Sequence, residues 1–215
     1  MVITVHKFIK DTKVRPSDKY MILGTIHPHN TQKFKINYFY GNKASLWSIL
    51  RVAFPNLKFE SKENIKNILK HHAVFITDCI KKCGRKNKGA ADKDLTNIVY
   101  NELQIRNAFE NSQINTIFFT SGEGTNNALR LFRKMFNIKP KEINLDKEAK
   151  TLVIPKKYFG RSIKGIVLIS PSGQANRSIP RSTAYKEKKL KYGSDYSVSK
   201  FKIDFYRNKF KKVFG

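Results

Sequence analysis

Cysteine, acidic side chains and long hydrophobic runs are all scarce in this sequence of 215 residues. Its two cysteines, Cys79 and Cys83, are too few for a disulfide framework or for an iron–sulfur cluster held by four thiolates. No apolar run approaches the roughly 18–20 residues of a membrane-spanning helix, so no membrane association is expected. The N-terminal segment has neither an apolar signal-peptide core nor a small-residue cleavage site, so a cytoplasmic protein is expected.

A metal site is an alternative use for the two thiols. Cys79 and Cys83 are four residues apart on an expected helix, with His71 and His72 upstream. Structural zinc sites take four ligands at recognisable spacing, whereas here a predicted strand separates the histidines from the cysteines. We therefore expect reduced, partly buried thiols, no metal and no cofactor.

Positive charge is what the sequence has in excess. It contains 43 Lys and Arg against 16 Asp and Glu, a formal net charge of +27 at pH 7. Residues 156–215 hold 16 of the basic residues and three of the acidic ones, which is nearly half of the excess. A Lys- and Asn-rich composition typical of A·T-rich coding explains part of this charge. The rest predicts a polyanionic partner, with nucleic acid ahead of a membrane surface.

Short apolar runs alternate with helical patterns along the chain. Its 40% hydrophobic and 12% aromatic residues can fill a core of ordinary size. Apolar runs predict buried strands at 20–24, 73–77, 116–120 and 163–169, with 151–154 as a short edge or hairpin strand. Helical spacing predicts helices at 44–54, after Ser61, at the end of 95–110 and at 126–136.

This alternation predicts an α/β fold, specifically a three-layer α/β/α sandwich around a central four-stranded, mostly parallel sheet. The length predicts one domain covering residues 1–215, with a basic helical C-terminal segment from about 182 to 215. Ligands of such sheets bind beyond the carboxyl ends of the strands. Functional residues are therefore expected in the loops that begin near Gly24, Thr77, Thr120 and Ser170.

Five stretches at these loops resemble, in sequence order, the motifs of the uracil-DNA glycosylase superfamily. They are 23–28 (LGTIHP), 37–50 (NYFYGNKASLWSIL), 73–78 (AVFITD), 117–122 (IFFTSG) and 169–177 (ISPSGQANR). The first is similar to a strand-end Gly before a Pro-containing loop, and the second to the aromatic stretch and Trp helix of the hypoxanthine-DNA glycosylase branch. The third is similar to a strand that ends in a base-reading residue, and the fourth to the next strand and its helix. The last is similar to the Pro-Ser-Gly loop of mismatch-specific uracil-DNA glycosylases.

The resemblance covers roughly residues 6–180 and implies a uracil-DNA glycosylase-like fold and a monofunctional DNA glycosylase. Such an enzyme flips a deaminated or modified base out of DNA and hydrolyses its N-glycosidic bond with an oriented water, leaving an abasic site. It implies DNA, double- or single-stranded, as the partner of a monomeric protein. It also implies a base pocket at Thr25, Ile26, Tyr40 and Asp78. The implied DNA-binding residues are Ser121, Ser172, Gly173, Gln174, Asn176 and Arg177.

The residue that activates water stays open at the level of sequence. The classical enzymes carry a carboxylate or Asn two residues after the first-motif Gly, where this chain has Ile26. The hypoxanthine branch carries an Asn before its Trp helix. This chain is one residue shorter there, so Asn42 and Ser45 are both candidate counterparts. His27, or His29, could accept a proton near neutral pH.

Ser170 is the fourth candidate catalytic residue, as a hydrogen-bond donor to the leaving base, where other members carry His or Asn. Ile26 and Ser170 together favour a second function, that of a catalytically weakened or inactive member that binds DNA. A third function is that of an unrelated basic nucleic-acid-binding α/β protein.

Overall fold

The computed structural model describes residues 1–43, 45–86 and 91–215, and of Gln174 the backbone alone. Eight β-strands lie in these residues. They are β1 (Val2–Val5), β2 (Tyr20–Gly24), β3 (Val74–Asp78), β4 (Ile80–Arg85), β5 (Leu95–Tyr100), β6 (Thr116–Phe119), β7 (Thr151–Ile154) and β8 (Ile163–Val167).

The larger of two sheets has five strands in the order β3-β2-β6-β8-β7. β2 runs parallel to β3 and β6, and β6 runs parallel to β8, whereas β7 pairs antiparallel with β8. The sheet is therefore mixed and mostly parallel, and the prediction of four strands is wrong because residues 151–154 add an edge strand. β3 begins at Val74 rather than at Ala73, because Ala73 has a left-handed backbone with φ of 55°.

The smaller sheet is antiparallel, has the order β1-β4-β5 and was not predicted. β4 reads IKKCGR and carries two exposed lysines, so its sequence lacks the apolar run that reveals a buried strand. Cys83 lies in β4 and Cys79 directly before it, so the helix expected across the two cysteines is wrong. Both thiols are buried and free, and burial raises the pKa of each.

Six α-helices and several short 3₁₀ helices complete the described secondary structure. The α-helices are α1 (Leu46–Ala53), α2 (Lys62–His71), α3 (Glu102–Glu110), α4 (Ala128–Met135), α5 (Thr183–Tyr192) and α6 (Val198–Phe214). The Ser61 hydroxyl accepts a hydrogen bond from the Asn64 amide at the start of α2, as a helix-capping serine does. Among the described helices, none has the length and apolar character needed to cross a bilayer.

The chain divides into two compact units. Unit 1 comprises Met1–Lys33 and Leu69–Leu168, and unit 2 comprises Phe34–Ile68 and Ile169–Gly215. Unit 1 contains both sheets, and unit 2 contains α1, α5 and α6. The three-layer sandwich and the single domain over 1–215 stay predictions.

Each unit has its own core. In unit 1, β2, β3 and β6 are almost entirely buried, and Phe119 packs edge-on against Phe132 of α4 at 5.3 Å between ring centroids. In unit 2, α1 packs against α6. There Phe59 stacks on Trp47 at 5.9 Å and contacts Phe214 edge-on at 5.5 Å.

Candidate functional site

The parallel strands of unit 1 end at one edge of the larger sheet. Gly24 at the end of β2 is in register with Asp78 at the end of β3, and Leu23 is in register with Phe119 of β6. The loops that follow these strands carry the sequence-predicted residues Thr25, Ile26, His27 and Ser121, and Asp78 is the last residue of β3. In open α/β sheets this edge is where ligands bind.

Asp78 is a buried carboxylate whose two oxygens differ in their hydrogen bonding. Its Oδ2 lies 2.7 Å from Nε2 of His6, while its Oδ1 is buried without a hydrogen-bond partner among the described residues. Nδ1 of His6 accepts hydrogen bonds from the backbone amides of Phe8 and Ile9 at 3.0 and 3.3 Å. Those amides place the ring proton on Nε2, so His6 donates to Asp78. His6 thus orients Asp78, although the sequence did not indicate it.

His27 is buried and has both ring nitrogens in hydrogen bonds. Nε2 accepts from the Lys7 amide at 3.0 Å, and Nδ1 lies 2.6 Å from the carbonyl oxygen of Pro28, to which it donates. Burial lowers the pKa of His27 to about 4, so the ring is neutral at pH 7. A neutral ring whose acceptor nitrogen is already occupied is poorly placed to take a proton from water, which counts against the predicted catalytic role.

A carboxylate that the sequence did not indicate lies beside the first predicted loop. Asp92 begins the short 3₁₀ helix Asp92–Asp94, and its Oδ1 accepts a hydrogen bond from Oγ1 of Thr25 at 3.2 Å. Burial raises the pKa of Asp92 to about 7, and the negative charge of Asp78 acts in the same direction. The Thr25 hydrogen bond and the positive charge of Arg85 oppose that shift.

Arg85, the last residue of β4, is a fully buried cation in the same region. Its Nε donates to Oγ1 of Thr4 at 3.1 Å, and its Nη2 donates to the carbonyl oxygen of His27 at 2.8 Å. Burial lowers its pKa. We use the name strand-end cluster for the group formed by His6, Thr25, Asp78, Arg85 and Asp92.

Ile26 and Ser121 are the other predicted residues of unit 1. Ile26 is 8% exposed and belongs to the hydrophobic core, so its side chain helps to fill the interior. Ser121 is buried, and its Oγ accepts a hydrogen bond from the Ala128 amide at the start of α4 at 2.8 Å. Its hydroxyl proton is left for a second partner. The predicted pocket wall and phosphate contact stay predictions.

The aromatic loop of unit 2 carries Tyr40, Asn42 and Ser45. The loop is tight at Gly41, where a Cβ would lie 1.7 Å from the carbonyl oxygen of Ile36, so only glycine fits. Asn42 is exposed, whereas Ser45 is buried directly before α1 and its amide donates to Oγ of Ser48 at 3.0 Å. Tyr40 has a left-handed backbone with φ of 53° and is half-buried. Asn42 is therefore the more accessible of the two counterparts.

The Pro-Ser-Gly loop of unit 2 rests on a buried lysine. Nζ of Lys202 on α6 donates to the carbonyl oxygens of Pro171 and Ser172 at 3.3 and 3.0 Å and to Oδ1 of Asn176 at 2.9 Å. These three acceptors are uncharged, and Lys202 is 5% exposed. Burial lowers its pKa to about 8. The loop is thus fixed around a positive charge that none of these contacts neutralises.

The remaining predicted residues of that loop are more open. Oγ of Ser170 donates to Oγ of Ser172 at 3.1 Å, and Ser172 and Arg177 are exposed. A Cβ on Gly173 would meet no atom within 4 Å, so its backbone faces open space. The Gln174 side chain lies outside the described residues. The DNA-binding and catalytic roles of this loop stay predictions.

Comparisons with known proteins give a similarity to a solved structure, but no family. No protein-family model and no curated protein matches the chain. Its structure is similar to the solution NMR structure of a candidate uracil DNA glycosylase from Methanosarcina acetivorans. The two chains share 17% sequence identity over 96% of this chain and 98% of the other, with a TM-score of 0.46. Similarity at this level does not establish an activity for this chain.

Proposed function

We propose that this chain is a monofunctional DNA glycosylase, a monomeric hydrolase that flips a deaminated or modified base out of DNA. It would release the base with an oriented water and leave an abasic site. The observation that carries the proposal is the buried Asp78, whose Oδ1 has no hydrogen-bond partner in the described part of the chain and suits a donor on the edge of a nucleobase. The net charge of +27 supports a nucleic-acid substrate.

The chemistry assigns different tasks to the two units. In unit 1, Asp78 would accept a hydrogen bond from the base, with Thr25 and Ile26 beside it. For unit 2, the roles that the motif resemblance implies are proposed as well: stacking on a base for Tyr40, and orientation of water for Asn42 or Ser45. The Ser170 hydroxyl, once it turns from Ser172 to the base, would stabilise the negative charge that develops on the departing base.

The Pro-Ser-Gly loop of unit 2 supplies the proposed contacts to DNA. Ser172, Gly173, Gln174 and Asn176 would approach the backbone or the gap left by the flipped base, and Arg177 would contact a phosphate. Ser121 of unit 1 would offer its hydroxyl proton to a phosphate oxygen.

The test is incubation with labelled oligonucleotides that carry uracil, hypoxanthine, xanthine or a modified cytosine, followed by alkali to cleave abasic sites. Release of at least one base, with strand cleavage only after alkali, is expected. Excess chelator should leave the rate unchanged, and borohydride should trap no protein–DNA adduct. A trapped adduct would make the protein a lyase that uses a lysine as nucleophile, with Lys43 as the first lysine to replace.

A second candidate function is DNA binding without catalysis. Two residues of the first loop favour it. Both ring nitrogens of His27 are occupied by hydrogen bonds, and the side chain of Ile26 fills the core. In that case the oligonucleotides would bind with a steep salt dependence, and none would lose its base in the presence of excess protein.

A further inference from the structure

Hydrolysis of an N-glycosidic bond needs a group that can take a proton from the attacking water. At the strand ends of unit 1, His27 has its acceptor nitrogen occupied by the Lys7 amide. Asp78 is already assigned to the base, because its Oδ1 is left for a donor of the ligand and its Oδ2 is bonded to His6. An amide such as that of Asn42 can orient water but cannot accept its proton. Asp92 differs from all three, because it is a carboxylate on a residue that keeps partial exposure to solvent.

The position of Asp92 is fixed from two sides. Nδ2 of Asn126 donates to the carbonyl oxygens of Asp92 and Leu95 at 3.0 and 3.1 Å and holds the turn that carries the side chain. Oγ1 of Thr25, one residue beyond β2, holds Oδ1 at 3.2 Å. The carboxylate is therefore placed at the edge of the sheet by a strand-end residue, with Oδ2 as the oxygen left for water. Fixing a reactive group in advance is what a catalytic site requires.

Independent evidence for a ligand in the strand-end cluster comes from Asp78. Its Oδ1 has no hydrogen-bond partner among the described residues, although the side chain is more than nine-tenths buried. Buried carboxylate oxygens are nearly always satisfied, so an unpartnered one marks a place for a donor that arrives with a ligand. The charges of Asp78 and Asp92 also influence each other.

We propose that Asp92 is the general base of the glycosylase reaction, an inference that rests on the proposed function. Oδ2 of Asp92 takes a proton from water as the water oxygen forms a bond to C1′ of the sugar. The bond between C1′ and the base nitrogen breaks, and its electron pair leaves with the base. The base then takes up a proton from solvent, and Asp92 returns its own proton to solvent. One water is consumed for each base released.

The pKa of Asp92 near 7 suits this role, because a base is most effective when its pKa lies near the working pH. Among residues 1–43, 45–86 and 91–215, the charged groups that face it are Arg85 and Asp78. The thiols of Cys79 and Cys83 stay uncharged, since burial raises the pKa of each. The rate of base release should therefore rise with pH up to about 7 and then level off.

The experiment measures single-turnover base release against pH for the wild-type protein, Asp92→Asn and Asp94→Asn. Asp92→Asn should lower the rate by about 10²–10⁴ and remove the rise near pH 7. Asp94→Asn removes a carboxylate from the same short helix and should keep both the rate and the rise. DNA affinity should be equal in the three proteins.

Thr25→Val keeps the shape of the side chain but removes a hydrogen bond that lowers the pKa of Asp92. It should therefore move the rise in rate to higher pH, which a purely structural role of Asp92 would not cause. The inference is overturned if the wild-type rate has no rise near pH 7, even where Asp92→Asn fails to fold. It is also overturned if Asp92→Asn keeps the wild-type rate while the wild-type protein releases a base. If the wild-type protein releases no base from any oligonucleotide, the proposed function fails and the inference fails with it.

Discussion

The buried charged groups of the two units differ in whether their neighbours are charged. In unit 1, Asp78 and Asp92 lie in a cluster with Arg85 and His6, so charges of both signs are present. In unit 2, the ammonium group of Lys202 is bonded to two carbonyl oxygens and one side-chain amide, all of them neutral. A buried charge without a counter-ion is costly and favours the approach of an ion of opposite sign.

This difference predicts a division of labour. In unit 1, burial raises the pKa of Asp92 to about 7, and the negative charge of Asp78 acts in the same direction. Such a group can exchange protons at physiological pH. The positive charge of Lys202 lies instead beneath a loop with exposed Ser172 and Arg177, which suits contact with a phosphate backbone. Unit 1 would then carry proton transfer, and unit 2 would carry DNA binding.

The largest effect that would break this division is expected at Asn42. If its exposed amide orients the attacking water, Asn42→Ala should lower single-turnover base release by roughly 10²–10⁴. DNA affinity should hardly change, because an uncharged side chain contributes little to phosphate binding. Unit 2 would then share in the chemistry.

Ser45→Ala separates the two possible counterparts in this loop. A large loss of rate in Ser45→Ala, with near-normal rate in Asn42→Ala, would show that the buried serine is the functional residue. Normal rates in both variants would restrict the chemistry to unit 1.

The next largest effect concerns Lys202. Below pH 8 its ammonium is charged, and since burial lowers its pKa from 10.5 to about 8, the charge is lost as pH rises through 8. DNA affinity of the wild-type protein should fall over that range. Lys202→Met should bind about tenfold more weakly at pH 7, a loss of about 1.4 kcal/mol, and should lack the decline near pH 8.

Lys200→Met is the matched control, because Lys200 lies on the same helix and is exposed. It should keep the decline in affinity near pH 8. Equal pH profiles for Lys202→Met and the wild-type protein, with equal melting temperatures, would mean that the buried ammonium has no part in DNA binding.

The positions of the large-sheet strands could be predicted because those strands are nearly uninterrupted apolar runs. β6, for example, reads TIFF and is buried at every position. β4 and β5 mix apolar residues with polar or charged ones, and β1 is only four residues long. These three strands pair antiparallel in a separate sheet. The mixed pattern of β5 explains why residues 95–100 were not predicted as a strand.

The candidate site was harder to predict, because its partners come from distant parts of the chain. His6 lies 72 residues before Asp78, and Lys202 lies 31 residues after Pro171. Asp, Lys and Arg are usually exposed, so composition does not indicate that Asp92, Lys202 or Arg85 is buried. Asp92 also stands in a stretch that reads as a basic polar loop. Motif resemblance pointed to the strand ends, but only the folded chain brings His6 to Asp78 within unit 1 and Lys202 to Pro171 within unit 2.

A smaller effect on DNA affinity is expected at Arg177, in the Pro-Ser-Gly loop of unit 2. Arg177→Ala should weaken DNA binding at low salt and reduce the slope of log K against log salt by about one, because one phosphate contact is lost. Arg181→Ala, which removes an exposed arginine from the short 3₁₀ helix Ile179–Arg181, is the control. Similar losses in both variants would indicate a diffuse positive surface instead of a defined contact.

The smallest effect at neutral pH is expected at His27, and it concerns stability in acid. Burial keeps the folded-state pKa of His27 at about 4, whereas the ordinary value of 6.5 applies to the unfolded chain. The unfolded state therefore binds more protons than the folded state between pH 6.5 and pH 4. The stability that the neutral ring provides is complete above pH 6.5 and is lost as pH falls toward 4, by about 3 kcal/mol at most. Urea unfolding of the wild-type protein and of His27→Gln measures this loss, because the glutamine amide does not titrate. The difference between their free energies of unfolding should be constant above pH 6.5. Below pH 6.5 it should shift in favour of the variant. A difference that stays constant down to pH 4 would mean that His27 takes up a proton in the folded state, which would restore it as a candidate for proton transfer in unit 1.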